Sequence, residues 1–446
     1  MASLPVYFEQ RRVGTIDVDK HGPGFTYDPG WAGLRGAFPI STTMPLQAER
    51  ISPDVFLPWA ANLLPENEQL RTLGQLLGMA RSDVIGLLSA IGGDTAGALS
   101  IGQPGRTSSV QWRPVGTPDD LERVIEELPN KPFLVGEDGV SMSLAGAQTK
   151  LAVAVDDTGR VCIPMNGSPS THILKPDTPR LVGGVQNEAF CLTLARRMKI
   201  PTPDITTGQA GKRAYLLVQR FDRTNVNGRW RRLHQEDFCQ ALGTPPSAKY
   251  ESNQTGPRGP TLKDMFKVTR KHMPATDIVR LLDMVVVNVL TCNTDAHAKN
   301  YSIMIRGNGA SLAPMYDIMC GEVWQHVTKN LAQKIAGTTR GDALEASHWR
   351  RFARECGLNP KQVLDRVAEL AKSAIAEAAG AASEVAAMPG GAHEILDQTR
   401  QAVERRAQAL LAQLREPGAE PSAEVVDDQG AKSLEDVAAM ASSSSP

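Results

Sequence analysis

The chain has 446 residues, 41% of them hydrophobic, and a formal net charge of −1. That length is too great for one simple core and predicts two or three domains, each with enough apolar material to bury an interior. So even a charge balance excludes a global pull toward nucleic acid or a membrane surface, and any DNA contact must be local or come through a partner.

Residues 1–105 read as a small α+β module. Leu4 to Val18 alternates on both sides of a polar tip, as a hairpin does. Asp54 to Leu64 and Asn67 to Met79 carry apolar residues at helical spacing, and Ser82 to Ile91 adds a third short helix. Gly92 to Ile101 returns to turn and strand, and the polar run from Gly102 to Ser109 suits a linker.

Residues 106–222 form the next unit. Thr117 to Glu127 predicts a helix with Asp119 and Asp120 in its first turn. Lys150 to Val155, Thr171 to Leu174 and Ala214 to Val218 read as strands, and Glu188 to Met198 has the 3.6-residue period. In residues 223–415 the pattern is mainly helical from Gln235 to Ala379, apart from one polar loop region. Gln398 to Leu414 closes that unit as an amphipathic helix. Residues 416–446 shift to Pro, Gly, Ala, Glu and Ser and predict a disordered tail.

Cys162, Cys191, Cys239, Cys292, Cys320 and Cys356 make no Cys-x-x-Cys pair, and several lie in apolar runs. They read as reduced core residues of a cytoplasmic protein. The start has no charged segment leading into an apolar run, so no signal peptide is expected. The longest apolar stretch is broken by Asp283 and Asn288, so no membrane span is expected either.

The chemistry concentrates in Thr294-Asp-Ala-His-Ala-Lys-Asn-Tyr-Ser302. Asp295 and Asn300 stand five residues apart, between the apolar run Ile278–Cys292 and a strand-like Tyr301–Ile305. Protein kinases use this spacing for an Asp that accepts the substrate hydroxyl's proton and an Asn that holds Mg²⁺. A second acid, Asp317 in Ala313-Pro-Met-Tyr-Asp-Ile318, sits where a kinase keeps its metal-holding Asp. A polar Asx-type turn is the bland alternative for the first pair. His297 reads as a residue that orders the loop or faces the phosphates, and Lys299 as an offset to γ-phosphate charge.

Upstream, the remaining parts of a nucleotide site follow in kinase order. Ser141-Met-Ser-Leu-Ala-Gly-Ala-Gln-Thr-Lys150 is rich in small residues whose backbone N–H groups can approach an anion, although a surface turn has the same composition. Lys175 ends a strand-like run and suits the nucleotide phosphates, or water. Glu188, thirteen residues on, is placed to open the next helix and pair with Lys175, or to serve the helix dipole alone. Val218-Gln-Arg-Phe-Asp-Arg223 leaves a buried strand where a two-lobed kinase has its hinge. His234-Gln-Glu-Asp-Phe-Cys-Gln240 reads as a helix start with two capping acids.

These motifs together resemble the HipA family of bacterial serine/threonine kinases, the toxin halves of HipA–HipB modules. The resemblance rests on Ser143–Lys150, Thr171–Lys175, Gln219–Arg223, His234–Gln240, Lys249-Tyr-Glu251, Thr294–Asn300 and Tyr316-Asp317, with Asn62-Leu-Leu-Pro-Glu66 and Ile91–Gly97 in the first module. It implies an α+β, two-lobed protein-kinase-like fold, with an N-terminal subdomain at 1–105, an N-lobe at 106–222 and a helical C-lobe at 223–415. It implies ATP and Mg²⁺, with Asp295 as catalytic base and Asn300 and Asp317 as metal ligands. The nucleotide site would comprise Ala145, Gly146, Ala147, Gln148, Thr149 and Lys150 as phosphate loop, Lys175 at the phosphates, and Gln219, Arg220 and Phe221 as hinge. His297, Lys299, Asn300, Tyr316 and Asp317 would complete it.

The resemblance further implies autophosphorylation of Ser143 and an aminoacyl-tRNA synthetase substrate, typically glutamyl-tRNA synthetase, whose modification halts translation and produces dormancy. The implied partner is a HipB-like helix-turn-helix antitoxin that carries the pair onto operator DNA. Arg350, Arg351 and Arg354 could add phosphate contacts, or form a solvated helix face. Gln219 stands where a member of the family has Glu, and Ala296 replaces a Gly in the catalytic loop. A lipid or small-metabolite kinase, which shares Asp-x-His-x-x-Asn, and an inactive kinase fold serving as repressor subunit are the competing readings.

Overall fold

A computed structural model describes residues 3–106, 109–252 and 257–415. The predicted tail lies outside the described residues. The first layer is a four-stranded antiparallel sheet in the order β3-β2-β1-β4, built from β1 (Ser3–Phe8), β2 (Arg11–Asp19), β3 (Gly22–Tyr27) and β4 (Leu99–Ile101). Val6, Val13 and Ile16 are buried, while Arg11 and Arg12 stay exposed beside the turn, and the β1–β2 pairing shifts register between Val6 and Tyr7. Gly14 is required because a Cβ there would lie 2.3 Å from the Phe25 ring. Between β3 and β4 run α1 (Pro29–Ala32), α2 (Pro53–Ala61), α3 (Asn67–Leu77) and α4 (Val84–Ile91). Gly78, left-handed at φ 64°, ends α3.

The second layer is a six-stranded sheet, ordered β5-β7-β6-β8-β10-β9. Its strands are β5 (Gln111–Pro114), β6 (Leu151–Val155), β7 (Val161–Met165), β8 (His172–Pro176), β9 (Ile205–Ala210) and β10 (Arg213–Gln219). Helix α5 (Pro118–Glu127) starts at Thr117, whose hydroxyl accepts from Asp120 N while the Asp120 carboxylate accepts from Thr117 N. Helix α6 (Gly184–Arg197) follows a left-handed Gly183. Glu188 is therefore in the second turn of α6 and not at its start, which removes the helix-dipole reading. Val185, Gln186 and Asn187, the residues before it, are buried inside the helix.

The remainder is not mainly helical throughout. It contains a small ribbon, β11 (Arg223–Val226) with β12 (Arg229–Arg232), and a three-stranded sheet of β13 (His234–Asp237), β14 (Ser302–Arg306) and β15 (Gly309–Leu312). A second ribbon pairs β16 (Asn330–Ile335) with β17 (Thr338–Arg340). His234 to Asp237 is thus strand and not helix start. Glu236 pairs with Ile303, and only Asp237 caps the short α7 (Phe238–Ala241).

The helices are α8 (Leu262–His272), α9 (Ala275–Leu290), α10 (Ala346–Glu355), α11 (Pro360–Ala386) and α12 (Ile395–Gln413). Ala371, Ala374, Ala378 and Ala381 let α11 approach α6 and α12 closely. All six cysteines are buried thiols. Among the described residues no helix is long and apolar enough to cross a membrane.

Candidate active site

The loop after α9 is tied down by its own side chains. Thr291 caps the helix, and Cys292 turns left-handed at φ 50°. Asn293 then bridges three points. Its Nδ2 donates to Asn288 Oδ1 at 2.9 Å and to Asp317 O at 3.3 Å, and its Oδ1 accepts from Asp295 N at 3.3 Å. Asn300 Nδ2 donates to Asp295 O at 2.8 Å, closing the five-residue span. The Asp295 carboxylate accepts from the Tyr250 hydroxyl. His297 sets its ring edge-on to Tyr250 at 5.0 Å and places Nε2 3.9 Å from Asp295 Oδ1. Asn293 and Tyr250 carry this geometry, and sequence reasoning gave them no role. An Asx turn is the local signal for Asn293.

Lys175 leaves β8 buried, and its Nζ donates to Glu188 Oε1 and to Asp317 Oδ1, each at 2.6 Å. Burial alone would lower the lysine's pKa, but Asp317 and Glu188 outweigh it and hold the ammonium above its ordinary range. Burial pushes Glu188 up, whereas Lys175 and Lys150 keep Asp317 ionised against its own burial. Asp317 adopts φ 58°, a left-handed backbone uncommon for a residue with a side chain.

One cleft of about 1350 Å³, open solvent included, joins these groups. Ala145, Gly146, Ala147, Gln148 and Lys150 line it, as do Lys175 and Glu188 from the sheet and α6. Asp295, His297, Lys299, Asn300, Tyr316 and Asp317 line it from the other side of the sequence. Thr149 is not among its lining residues. Gly146 sits at φ 100°, open to glycine and strained for other residues. Ser143 is fully buried, its hydroxyl donating to Leu63 O at 2.6 Å.

The segment from Gln219 to Asp222 also lines the cleft, but with mixed roles. Gln219 N donates to Asp204 O, and Phe221 lies 5.4 Å from the Tyr316 ring. The Arg220 guanidinium is committed elsewhere. It donates to Asp222, to Ser170 Oγ and to Thr95 O in a buried network with Asp94, Arg223 and Arg232. Its backbone is used within the fold as well, its N donating to Thr171 O at 2.9 Å and its O accepting from Arg223 N at 3.2 Å. Lys299 departs from expectation in the same way. Its ammonium donates to Asn62 Oδ1 at 2.6 Å and Asp237 Oδ2 at 2.9 Å, which leaves it a structural cation beneath the loop.

Asp317 and Asn300 are both oxygen-bearing side chains on this cleft, and the Asp317 side chain is about a quarter exposed, at 26%. Among the described residues no group of three His, Cys, Asp or Glu side chains is arranged around a metal. Such a donor set suits Mg²⁺, which takes one or two protein ligands and draws the rest from phosphates and water. Arg350, Arg351 and Arg354 are exposed on α10, with Arg351 paired to Glu355.

Two family models match the chain, the HipA N-terminal domain over residues 4–102 and the HipA-like C-terminal domain over residues 142–378. Over 381 residues it is 36% identical to Y4mE of Sinorhizobium fredii, spanning 83% of this chain and 89% of that protein. Over 393 residues it is 30% identical to the serine/threonine-protein kinase toxin HipA of Shewanella oneidensis, spanning 84% and 89%. The solved structure of Shewanella oneidensis HipA with HipB and operator DNA is similar at a TM-score of 0.79 and 26% identity, covering 92% of this chain and 97% of that one. With both domains matched in order on a kinase-like α+β fold, the chain belongs to the HipA family of serine/threonine kinases.

Proposed function

We propose that the cleft binds ATP with Mg²⁺ and passes the γ-phosphoryl group to a Ser or Thr hydroxyl of a protein, and that the chain acts as a toxin by doing so. The observation that carries this reading is the buried Lys175 held between Glu188 and Asp317 on the cleft that Asp295 and Asn300 also line. Lys175 pairs with the α- and β-phosphates, while backbone N–H groups of residues 145–150 face their oxygens. Asp317 and Asn300 would hold the metal, which shields charge on the transferring group. Asp295 orients the acceptor hydroxyl and takes its proton as the new P–O bond forms; the bond to the bridging oxygen breaks and ADP leaves. Phe221 and the carbonyl of Gln219 receive the base.

Family membership supports a translation target, with an aminoacyl-tRNA synthetase and glutamyl-tRNA synthetase first among candidates. It also supports dormancy as the outcome, a HipB-like antitoxin that brings operator DNA, and Ser143 as an autophosphorylation site. Because Ser143 is buried, that last reaction requires the loop to leave its seat first. The test is a bacterial lysate incubated with the chain and γ-labelled ATP, with Asp295→Asn in parallel. A labelled protein band that needs Asp295 is the expected result. Label in lipid or a small metabolite would replace the protein substrate with the competing kinase class, and equal labelling by Asp295→Asn would remove Asp295 as base.

A further inference from the structure

The phosphate loop has neither a strand ladder nor a helix to hold it. If its N–H groups face an anion, its carbonyls must turn away and find donors elsewhere. For Gly146 and Ala147 the donors come from one stretch of the N-terminal module, between the end of α2 and the first turns of α3. Glu66 N donates to Gly146 O at 3.1 Å, and Pro65 forms a parallel bridge with Gly146. Gln69 Nε2 donates to Ala147 O at 3.0 Å from a side chain that is 5% exposed.

The same stretch grips the opposite wall. Lys299 of the catalytic loop donates to Asn62, and Glu66 Oε2 accepts from Lys249 Nζ at 2.7 Å. Lys249 directly precedes Tyr250, whose hydroxyl donates to Asp295. Two buried ammoniums, Lys249 and Lys299, thus face two carboxylates, Glu66 and Asp237, with Glu66 near both cations. The second Glu66 oxygen, Oε1, is buried without a hydrogen bond and lies 3.9 Å from Lys299.

We propose that residues 62–69 are a positioning element of the phosphotransfer site. Gln69 sets the phosphate loop through Ala147, and Glu66 sets the catalytic loop through Lys249. The N-terminal module is thereby part of the reaction centre. The inference rests on the ATP reading of the cleft.

The test uses the full chain with Gln69→Met, Glu66→Gln and, as an exposed control on α3 outside the proposed element, Gln75→Ala. Affinity for a non-hydrolysable ATP analogue with Mg²⁺ is measured by calorimetry, ADP release at saturating ATP by a coupled assay, and folding by thermal melting. Gln69→Met is expected to weaken analogue binding about ten-fold and keep the maximal rate within about two-fold. Glu66→Gln is expected to lower the maximal rate about ten-fold or more with analogue binding nearly unchanged. Gln75→Ala should match wild type in both. If Glu66→Gln does not fold, Lys249→Met, which removes the other end of the pair, takes its place with the same expectation.

Wild-type behaviour of Gln69→Met overturns the proposal. So does a parallel fall of both quantities with melting temperature in both variants, which would assign the segment to folding alone. A wild-type chain that neither binds the analogue nor releases ADP would sink the ATP reading itself, a separate outcome.

Discussion

Lys175 donates to Asp317 at 2.6 Å across 142 residues of chain, and this contact brings the β8 end of the six-stranded sheet to the segment after β15. It fixes the two charges that a phosphotransfer site most needs in one place. Lys175→Met should leave two buried carboxylates against each other. Melting is expected to fall by several degrees, and binding of an ATP analogue by about a hundred-fold or more, read by calorimetry. Unchanged binding would separate Lys175 from the phosphates.

Ser143 offers a second test, because its hydroxyl is sealed against Leu63 O. Ser143→Asp would drive a carboxylate onto that carbonyl in a buried site, so the loop must leave. Analogue affinity is expected to drop at least about ten-fold, whereas Ser143→Ala should cost only about 1 kcal/mol of stability from one lost hydrogen bond. Phosphopeptide mapping after incubation with Mg-ATP checks the modification directly.

The buried cluster of Asp94, Asp222, Arg220, Arg223 and Arg232 ties the first module to the segment after β10. Arg220, with Arg223, holds Asp222 down at about 2 against the effect of its burial. Removing one anion leaves buried cations unmatched. Asp94→Asn is expected to destabilise by about 3–5 kcal/mol, measured by denaturant unfolding.

Glu236 predicts a pH dependence of stability. Burial pushes its carboxyl up to about 7, despite bonds from Thr42 N and Oγ1. The folded state therefore binds this proton more tightly than the unfolded chain. Its contribution is full below an ordinary carboxyl range near 4.5 and is lost as pH rises through about 7, on the order of 3 kcal/mol. Melting curves from pH 4.5 to 8 should show that component in wild type and lack it in Glu236→Gln. A variant with the same slope as wild type would remove Glu236 as its source.

The sequence was informative where a pattern is local. The first hairpin, α2, α3, α5 and α9 follow from alternation, helical spacing and caps. Asp295 and Asn300 stand out because their spacing lies between an apolar helix and a strand. Short strands hid more easily. In β7, Pro164 interrupts the strand signal, and it is tolerated because the pairing with β6 ends at Cys162. In β13, His-Gln-Glu-Asp has no apolar alternation, so its acids resembled caps. Long-range partners were not legible at all. Nothing near Lys299 announces Asn62, 237 residues away, and nothing in Gln219–Arg223 says that Arg220 turns from the cleft into an ion cluster.

The most direct measurement is a crystal structure of the chain with Mg²⁺ and a non-hydrolysable ATP analogue. The account predicts phosphates between Lys175 and residues 145–150, the metal on Asp317 and Asn300, and the Asp295 carboxylate facing the γ-phosphoryl group. An analogue seated away from these side chains, or a metal held by other residues, contradicts it.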